Sequence, residues 1–163
     1  MWQNVRKMQE KVRENPDSYF PVTHPERLLL LAQKLQTLVL PKEAHFDMET
    51  FGYHPEGLKR PPPYADCHSA ACAAGWATTI ASFRKAGLHL EWSPHLIGEG
   101  LEATLVFKGA NGFDALTDFF GLTSAAACDL FTSSGVSLDT PRRVATIFRA
   151  FLKEATSYQE ERS

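Results

Sequence analysis

Apolar residues recur at every third or fourth position in several stretches of the chain, which is the spacing of one face of an α-helix. The first stretch runs from Trp2 to Val12 and predicts an amphipathic helix over residues 2–14. The second follows a capping box in which Thr23 is the N-cap and Glu26 the third helical residue, and it predicts a helix over residues 24–40. The same spacing predicts further helices over residues 69–86, 113–120, 124–131 and 141–155.

Strand-like alternation of apolar and polar residues is confined to residues 88–92 and part of 101–107. With the turn-forming residues between them, these two segments predict a β-hairpin. Residues 52–66 contain several prolines and predict a long connection without regular structure. The whole pattern therefore predicts a mainly α fold (α+β), in which residues 1–163 form a single helical domain with a small inserted β-hairpin.

Composition narrows the possible partners and the compartment. The 163 residues are 44% hydrophobic and 22% charged, as in a globular chain large enough to bury its own core. The net charge is −2, which argues against the electropositive surface that a general nucleic-acid binder needs. No apolar run is longer than that of Leu28 to Ala32, which is far too short to span a membrane. Three cysteines and no signal peptide predict a cytoplasmic protein with free thiols.

The segment from Cys67 to Ala77 consists almost entirely of small side chains around one tryptophan. Small residues let another backbone or an aromatic ring approach closely, and buried inert cysteine is common. We therefore predict that this segment is a packing hub. Its structural residues are Cys67, Cys72, Gly75 and Trp76.

The alternative for the same segment is chemical. Cys67 follows Asp66 at a predicted helix start, where a thiol is activated as a nucleophile in thiol hydrolases, and His89 or His95 would be the base. The papain-type block around the cysteine is absent, so packing is the favoured interpretation. Cys67, His68 and Cys72 do not have the spacing of a zinc module. No metal and no cofactor is predicted.

Two further motifs concern macromolecular partners. Residues 115–131 resemble a helix-turn-helix, but no lysine or arginine lies between Gly109 and Gly135, so DNA binding through this helical hairpin is disfavoured. The segment Pro61-Pro62-Pro63-Tyr64 fits the proline pattern that WW domains bind, although a stiff connector is the favoured interpretation. We predict that Lys59, Arg60 and Tyr64 form a partner-binding surface, led by Arg60 and Tyr64.

Several separated blocks resemble a group of small uncharacterised proteins of bacteria and their phages. The blocks are Phe46-Asp47-Met48, Cys67-x-x-x-x-Cys72-Ala-x-Gly75-Trp76-Ala77, Phe119-Phe120-Gly121-Leu122-Thr123, Leu130-Phe131 and Pro141-x-x-Val144-Ala145. The residue after the first cysteine is usually glycine in that group, and here it is His68. The resemblance implies a shared fold and a phage or mobile-element context, without an activity.

These observations predict a non-enzymatic protein that binds a macromolecule, with a protein as the expected partner. In a phage setting it would inhibit or modulate a host system such as a defence nuclease complex. The first alternative is a thiol-dependent hydrolase that uses Cys67. The second is a DNA-binding protein that uses the hairpin at residues 115–131.

Overall fold

The computed structural model describes residues 2–40, 44–55, 61–66, 69–94, 98–132 and 140–163. Within these ranges the chain forms seven α-helices and a six-stranded sheet. The helices are α1 (Trp2–Glu14), α2 (Pro25–Gln36), α3 (Ala73–Ala77), α4 (Ala81–Ala86), α5 (Gly112–Phe120), α6 (Ser124–Phe131) and α7 (Pro141–Arg162). The strands are β1 (His45–Phe46), β2 (Gly52–His54), β3 (Ala70–Ala71), β4 (His89–Pro94), β5 (Leu101–Phe107) and β6 (Ala110–Asn111).

The sheet makes the predicted fold class wrong. Its strand order is β1-β3-β2-β5-β4. The short strand β6 pairs with the end of β5, on the side opposite β4. β1 and β3 are parallel and the remaining pairs are antiparallel. The protein is therefore a mixed α/β fold, and the β4–β5 hairpin is only one part of its sheet. The prediction failed because β1, β2, β3 and β6 have two or three residues each, too few for alternation to be recognised.

The predicted helix over residues 69–86 is also wrong. Its first residues form β3, and Cys72 is still extended at φ −76° and ψ −179°. A break at Thr78–Ile80 then separates α3 from α4. The hydroxyls of Thr78 and Thr79 donate to the carbonyl oxygens of Gly75 and Trp76 at 2.5 and 2.6 Å. Such side-chain bonds compete with helix continuation, so alanine content alone overestimated the helix.

Two other helices differ from their predicted limits by more than one residue. α2 begins after His24 rather than Thr23, and its N-cap makes no side-chain hydrogen bond. It ends at Gln36 instead of residue 40. At this end the hydroxyl of Thr37 donates back to the carbonyl of Gln33 at 3.2 Å. α7 continues past residue 155 to Arg162. No helix in the described ranges combines the length and the apolar character that a membrane span requires.

A series of phenylalanine rings in contact connects α4, α5 and α6 to α7. Phe119 of α5 packs against Phe83 of α4 and Phe120, with ring centroids 4.8 and 5.0 Å apart. Phe131 of α6 continues the series from Phe120 to Phe148 of α7, at 5.4 and 5.1 Å. These contacts join the four helices and belong to one continuous hydrophobic cluster.

Polar contacts fasten α1 to the end of the chain. Arg13 donates two hydrogen bonds to the Glu154 carboxylate of α7, at 2.7 and 3.1 Å. Asp129 of α6 accepts from Lys11 at 2.9 Å and from the Tyr19 hydroxyl at 2.7 Å. Burial, helped by the Asp129 carboxylate, raises the pKa of Tyr19 to about 12. α1 therefore contacts both α6 and α7, and α2 also packs against α7.

Candidate functional site

The described part of the predicted hub lies where β3 leads into α3. Cys72 is the N-cap of α3 and is 2% exposed, and its amide donates to the carbonyl of Thr50 at 2.8 Å. A Cβ atom at Gly75 would overlap the backbone carbonyl oxygen of Phe51 and lie 2.7 Å from the Cβ of Ala71. Glycine therefore lets α3 pass directly against the segment that enters β2.

Trp76 fills the interior beside this contact. It is 3% exposed, and its indole Nε1 has no hydrogen-bond partner among the described residues. A buried tryptophan usually finds an acceptor for this group. Trp76 therefore contributes to the fold by packing rather than through hydrogen bonding of its indole.

The chemistry of Cys72 is that of a buried thiol. Burial raises the pKa of Cys72 to about 11, although backbone hydrogen bonds at the start of α3 oppose the shift. The thiolate, not the thiol, is the nucleophile. Cys72 is therefore expected to be protonated at neutral pH and to react slowly in the folded protein.

This protonation state predicts the pattern of alkylation. A pKa of about 11 instead of 9.0 reduces the thiolate fraction at neutral pH by about 100-fold. Iodoacetamide should therefore modify exposed Cys128 and leave Cys72 unmodified, as measured by peptide mass spectrometry over time. In guanidinium chloride, where the chain is unfolded, both should react. Equal rates for Cys72 and Cys128 in the folded protein would show that the hub is open to solvent.

The structure brings together a buried histidine and a half-buried aspartate that the sequence patterns did not indicate. His54 ends β2 and is 2% exposed, and its Nε2 lies 3.5 Å from an oxygen of the Asp66 carboxylate. The other Asp66 oxygen accepts from the Ser69 hydroxyl at 3.0 Å. The Trp92 and His54 rings are nearly perpendicular, with centroids 5.7 Å apart. His54 and Asp66 lie near the two ends of the predicted connection, residues 52–66, so their contact brings these ends together. No sequence signal marks the pair, because it depends on the unpredicted strand β2.

The predicted partner-binding residues are only partly described. Lys59 and Arg60 lie outside the described residues, as does Cys67 of the hub. Tyr64 is half-buried, with the Arg84 guanidinium 4.6 Å from its ring centroid. The prolines before it follow the edge of the sheet, because Pro63 and Pro62 accept hydrogen bonds from the amide of Leu90 and the indole of Trp92, both at 2.8 Å. The described part of this segment is therefore a cover for β4.

The structure also describes residues of the two alternative functions, the thiol hydrolase and the DNA-binding hairpin. His89, one of the two predicted bases, has Nδ1 2.9 Å from the Gly87 carbonyl and Nε2 3.3 Å from the Glu91 carboxylate, so both ring nitrogens are engaged locally. The other predicted base, His95, lies outside the described residues. The predicted DNA-binding hairpin consists of α5 and α6. Its apolar side chains face the core except for Phe113, which is 39% exposed. Its exposed charges are Asp114, Asp118 and Asp129. Carboxylates on the exposed side repel phosphate.

A surface that the sequence analysis did not single out is the α2–α7 groove, the open strip between these two helices. It contains two concavities of about 520 and about 590 Å³. One joins the start of α2 to the second half of α7, and the other joins Gln36 and Thr37 to the start of α7. The helices are therefore antiparallel along the groove. Its apolar floor consists of Val22, Pro25, Leu29, Leu152 and Ala155.

The rim of the α2–α7 groove is charged. Arg142, Arg149 and Lys153 line it from α7, and their spacing of seven and four residues places them on one helix face. Arg149 lines the first concavity and donates to the Gln36 amide oxygen in the second at 2.8 Å. Glu26 is the carboxylate on the α2 side of the first concavity. The rim is therefore basic along α7.

Comparison of the chain with protein-family models, curated proteins and solved structures finds no match. Function is therefore inferred from the residues themselves. The described ranges contain no group of three or more histidine, cysteine, aspartate or glutamate side chains that could hold a metal ion. What the surface offers is an apolar groove with cationic side chains along one edge, an arrangement suited to binding another macromolecule.

Proposed function

We propose that this chain is a non-enzymatic protein that binds another protein, and that the α2–α7 groove is its binding surface. The observation that carries the proposal is the apolar floor of the groove. Leu29 remains 39% exposed there, although α2 also supplies fully buried leucines to the core. Apolar surface gathered in a groove and edged by charge is typical of a protein-binding site.

The chemistry elsewhere supports binding rather than catalysis. The Cys72 thiol is buried with a raised pKa, and the His89 nitrogens contact neighbouring groups. In the phage or mobile-element setting that the block order implies, such a protein would act in the cytoplasm as an inhibitor or modulator of a host system, for example a defence nuclease complex. DNA binding stays disfavoured by the carboxylates of α5 and α6.

A thiol-dependent hydrolase using Cys67 is the second candidate, and one observation favours it. Asp66 directly precedes Cys67 in the sequence and contacts the buried imidazole of His54. A carboxylate that orients a histidine is the supporting half of a nucleophile–base–acid arrangement. This candidate replaces His89 by His54 as the base. Rapid and selective alkylation of Cys67 at neutral pH, lost in His54→Ala, would favour it over the binding proposal.

The binding proposal is tested with two neighbouring leucines. Leu29 and Leu30 are equally exposed, at 39%, but only Leu29 lines the groove. Proteins that the immobilised chain captures from bacterial lysate are identified and purified, and their affinities are measured by calorimetry. Leu29→Asp should weaken binding of the true partner by about 30-fold, or ~2 kcal/mol, because it places a charge on the apolar floor.

The control is Leu30→Asp, which adds the same charge one residue further along α2. It should leave affinity within about threefold of the parent, and melting temperatures should show that both variants fold. Equal losses of affinity in the two variants, or no loss in Leu29→Asp, would place the binding surface elsewhere.

A further inference from the structure

We infer that the α2–α7 groove accepts an amphipathic helix whose apolar face is flanked by acidic residues. The inference rests on the proposed function and names the chemistry of the partner. It follows from the shape of the groove, the chemistry of its floor and the sign of its rim.

The shape of the groove fits a helix. From Arg142 to Gln159 the α7 side extends about 26 Å at 1.5 Å per residue. Arg149 reaches across to Gln36 between the two concavities, so the uninterrupted part is the first concavity. From Arg149 to Gln159 it extends about 15 Å, which matches about three turns of helix. Two antiparallel helices leave a furrow between them, and a third helix packs into it when apolar side chains at positions i, i+3, i+4 and i+7 point down. Leu29 and Leu152 provide the surface that those side chains would contact.

The charge on the rim selects the flanking residues of that helix. Among the described residues, Arg142 and Lys153 make no ion pair, and Arg149 is held only by the neutral amide of Gln36. On the opposite rim, Glu26 lies 3.4 Å from Nδ1 of His24. Arg149 and Lys153 therefore face one carboxylate across the floor of the first concavity, and Arg142 adds a third cation at the second concavity. A partner with carboxylates along the α7 side complements this field, and such complementarity determines mainly specificity and association rate.

The floor also argues against a nucleic acid as the occupant. A phosphate backbone would neutralise the cations of α7, but it would gain nothing from Val22, Leu29 or Leu152. Glu26, on the α2 rim of the same concavity, would repel phosphate. An acidic helix satisfies the apolar floor and the basic rim together.

The test uses the full chain and two fluorescein-labelled helical peptides of about 18 residues. Both peptides carry leucine at the same i, i+3, i+4 and i+7 positions, and they differ only in whether glutamate or lysine flanks the leucines. Fluorescence anisotropy at low ionic strength should show the glutamate peptide binding at least about tenfold more tightly, or ~1.4 kcal/mol. Arg142→Glu combined with Lys153→Glu should reverse the preference.

A matched control reverses two charges away from the groove, at exposed Arg6 and Lys85, and should keep the preference for glutamate. Equal binding of both peptides that Leu29→Asp abolishes would overturn the acidic assignment and leave the groove as a protein-binding surface. Binding of neither peptide would overturn the helix assignment, while the comparison of Leu29→Asp with Leu30→Asp still decides the proposed function. Tighter binding of a labelled DNA duplex than of the glutamate peptide would overturn the inference in favour of a polyanion.

Discussion

Replacing Trp76 by alanine is expected to lower the free energy of unfolding by about 3–5 kcal/mol, a large share of the stability of a typical domain. Trp76 is 3% exposed and lies in α3, all five residues of which are buried. Alanine would leave a cavity that this short helix cannot close without moving β3. Urea unfolding followed by circular dichroism measures the loss.

Trp76→Phe separates packing from hydrogen bonding. The indole Nε1 has no partner among the described residues, so phenylalanine keeps much of the ring contact and removes an unsatisfied buried donor. Its cost should be about 1 kcal/mol, well below that of alanine. A phenylalanine variant as unstable as the alanine variant would mean that the indole group makes a bond in solution.

The emission of Trp76 gives an independent measurement. In a background with Trp2→Phe and Trp92→Phe, the remaining fluorescence should be blue-shifted and resistant to quenchers, because Trp76 is shielded from water. Emission at the wavelength of free tryptophan from the folded protein would contradict the burial on which the stability prediction rests.

Features of the fold that depend on neighbouring residues were accessible from the sequence. The structure has α6 over Ser124–Phe131, the range that the spacing predicts, and the Thr123 hydroxyl accepts from the amide of Ala126 at 3.1 Å. Thr140 similarly accepts from Arg143 at 3.3 Å at the start of α7. A helix cap is a contact across three residues, so the sequence shows both members of the pair at once. The same reasoning failed at Thr23, which does not cap α2.

Features that depend on distant residues were not accessible. Tyr53 of β2 pairs with Ala70 on one side and Glu102 on the other, and neither neighbour leaves a trace near Tyr53 in the sequence. Because these short strands were not predicted, the six-stranded mixed sheet was reduced to a single predicted hairpin. Their absence from the prediction also hid the contact between His54 and Asp66, because that contact requires β2 to be in place.

The α2–α7 groove was hidden for a related reason. α2 contains four consecutive leucines, and helical spacing correctly assigns Leu28 and Leu31 to one buried face. Whether the leucines between them are covered depends on how closely α7 approaches, which is a property of the folded molecule. The structure leaves Leu29 and Leu30 exposed to the same degree and places only Leu29 in the groove.

Gly75→Ala is expected to destabilise the protein by about 3 kcal/mol, against the usual rule for glycine inside a helix. Alanine is the better helix former by about 1 kcal/mol, so propensity alone predicts a gain at this position of α3. The added Cβ would overlap the carbonyl oxygen of Phe51. Because this oxygen belongs to the main chain at the entrance to β2, it can move only if the strand moves.

Two further variants identify the cause of the loss. Gly87→Ala places a Cβ 3.9 Å from its nearest neighbour at φ +108°, so it costs only backbone strain of about 1–2 kcal/mol. Ala71→Gly removes the second contact at Gly75, 2.7 Å away, but leaves the Phe51 carbonyl in place. Adding it to Gly75→Ala should therefore restore no stability in thermal unfolding. If Gly75→Ala raises the melting temperature, or if Ala71→Gly restores the lost stability, position 75 does not lie against the Phe51 carbonyl as the structure shows.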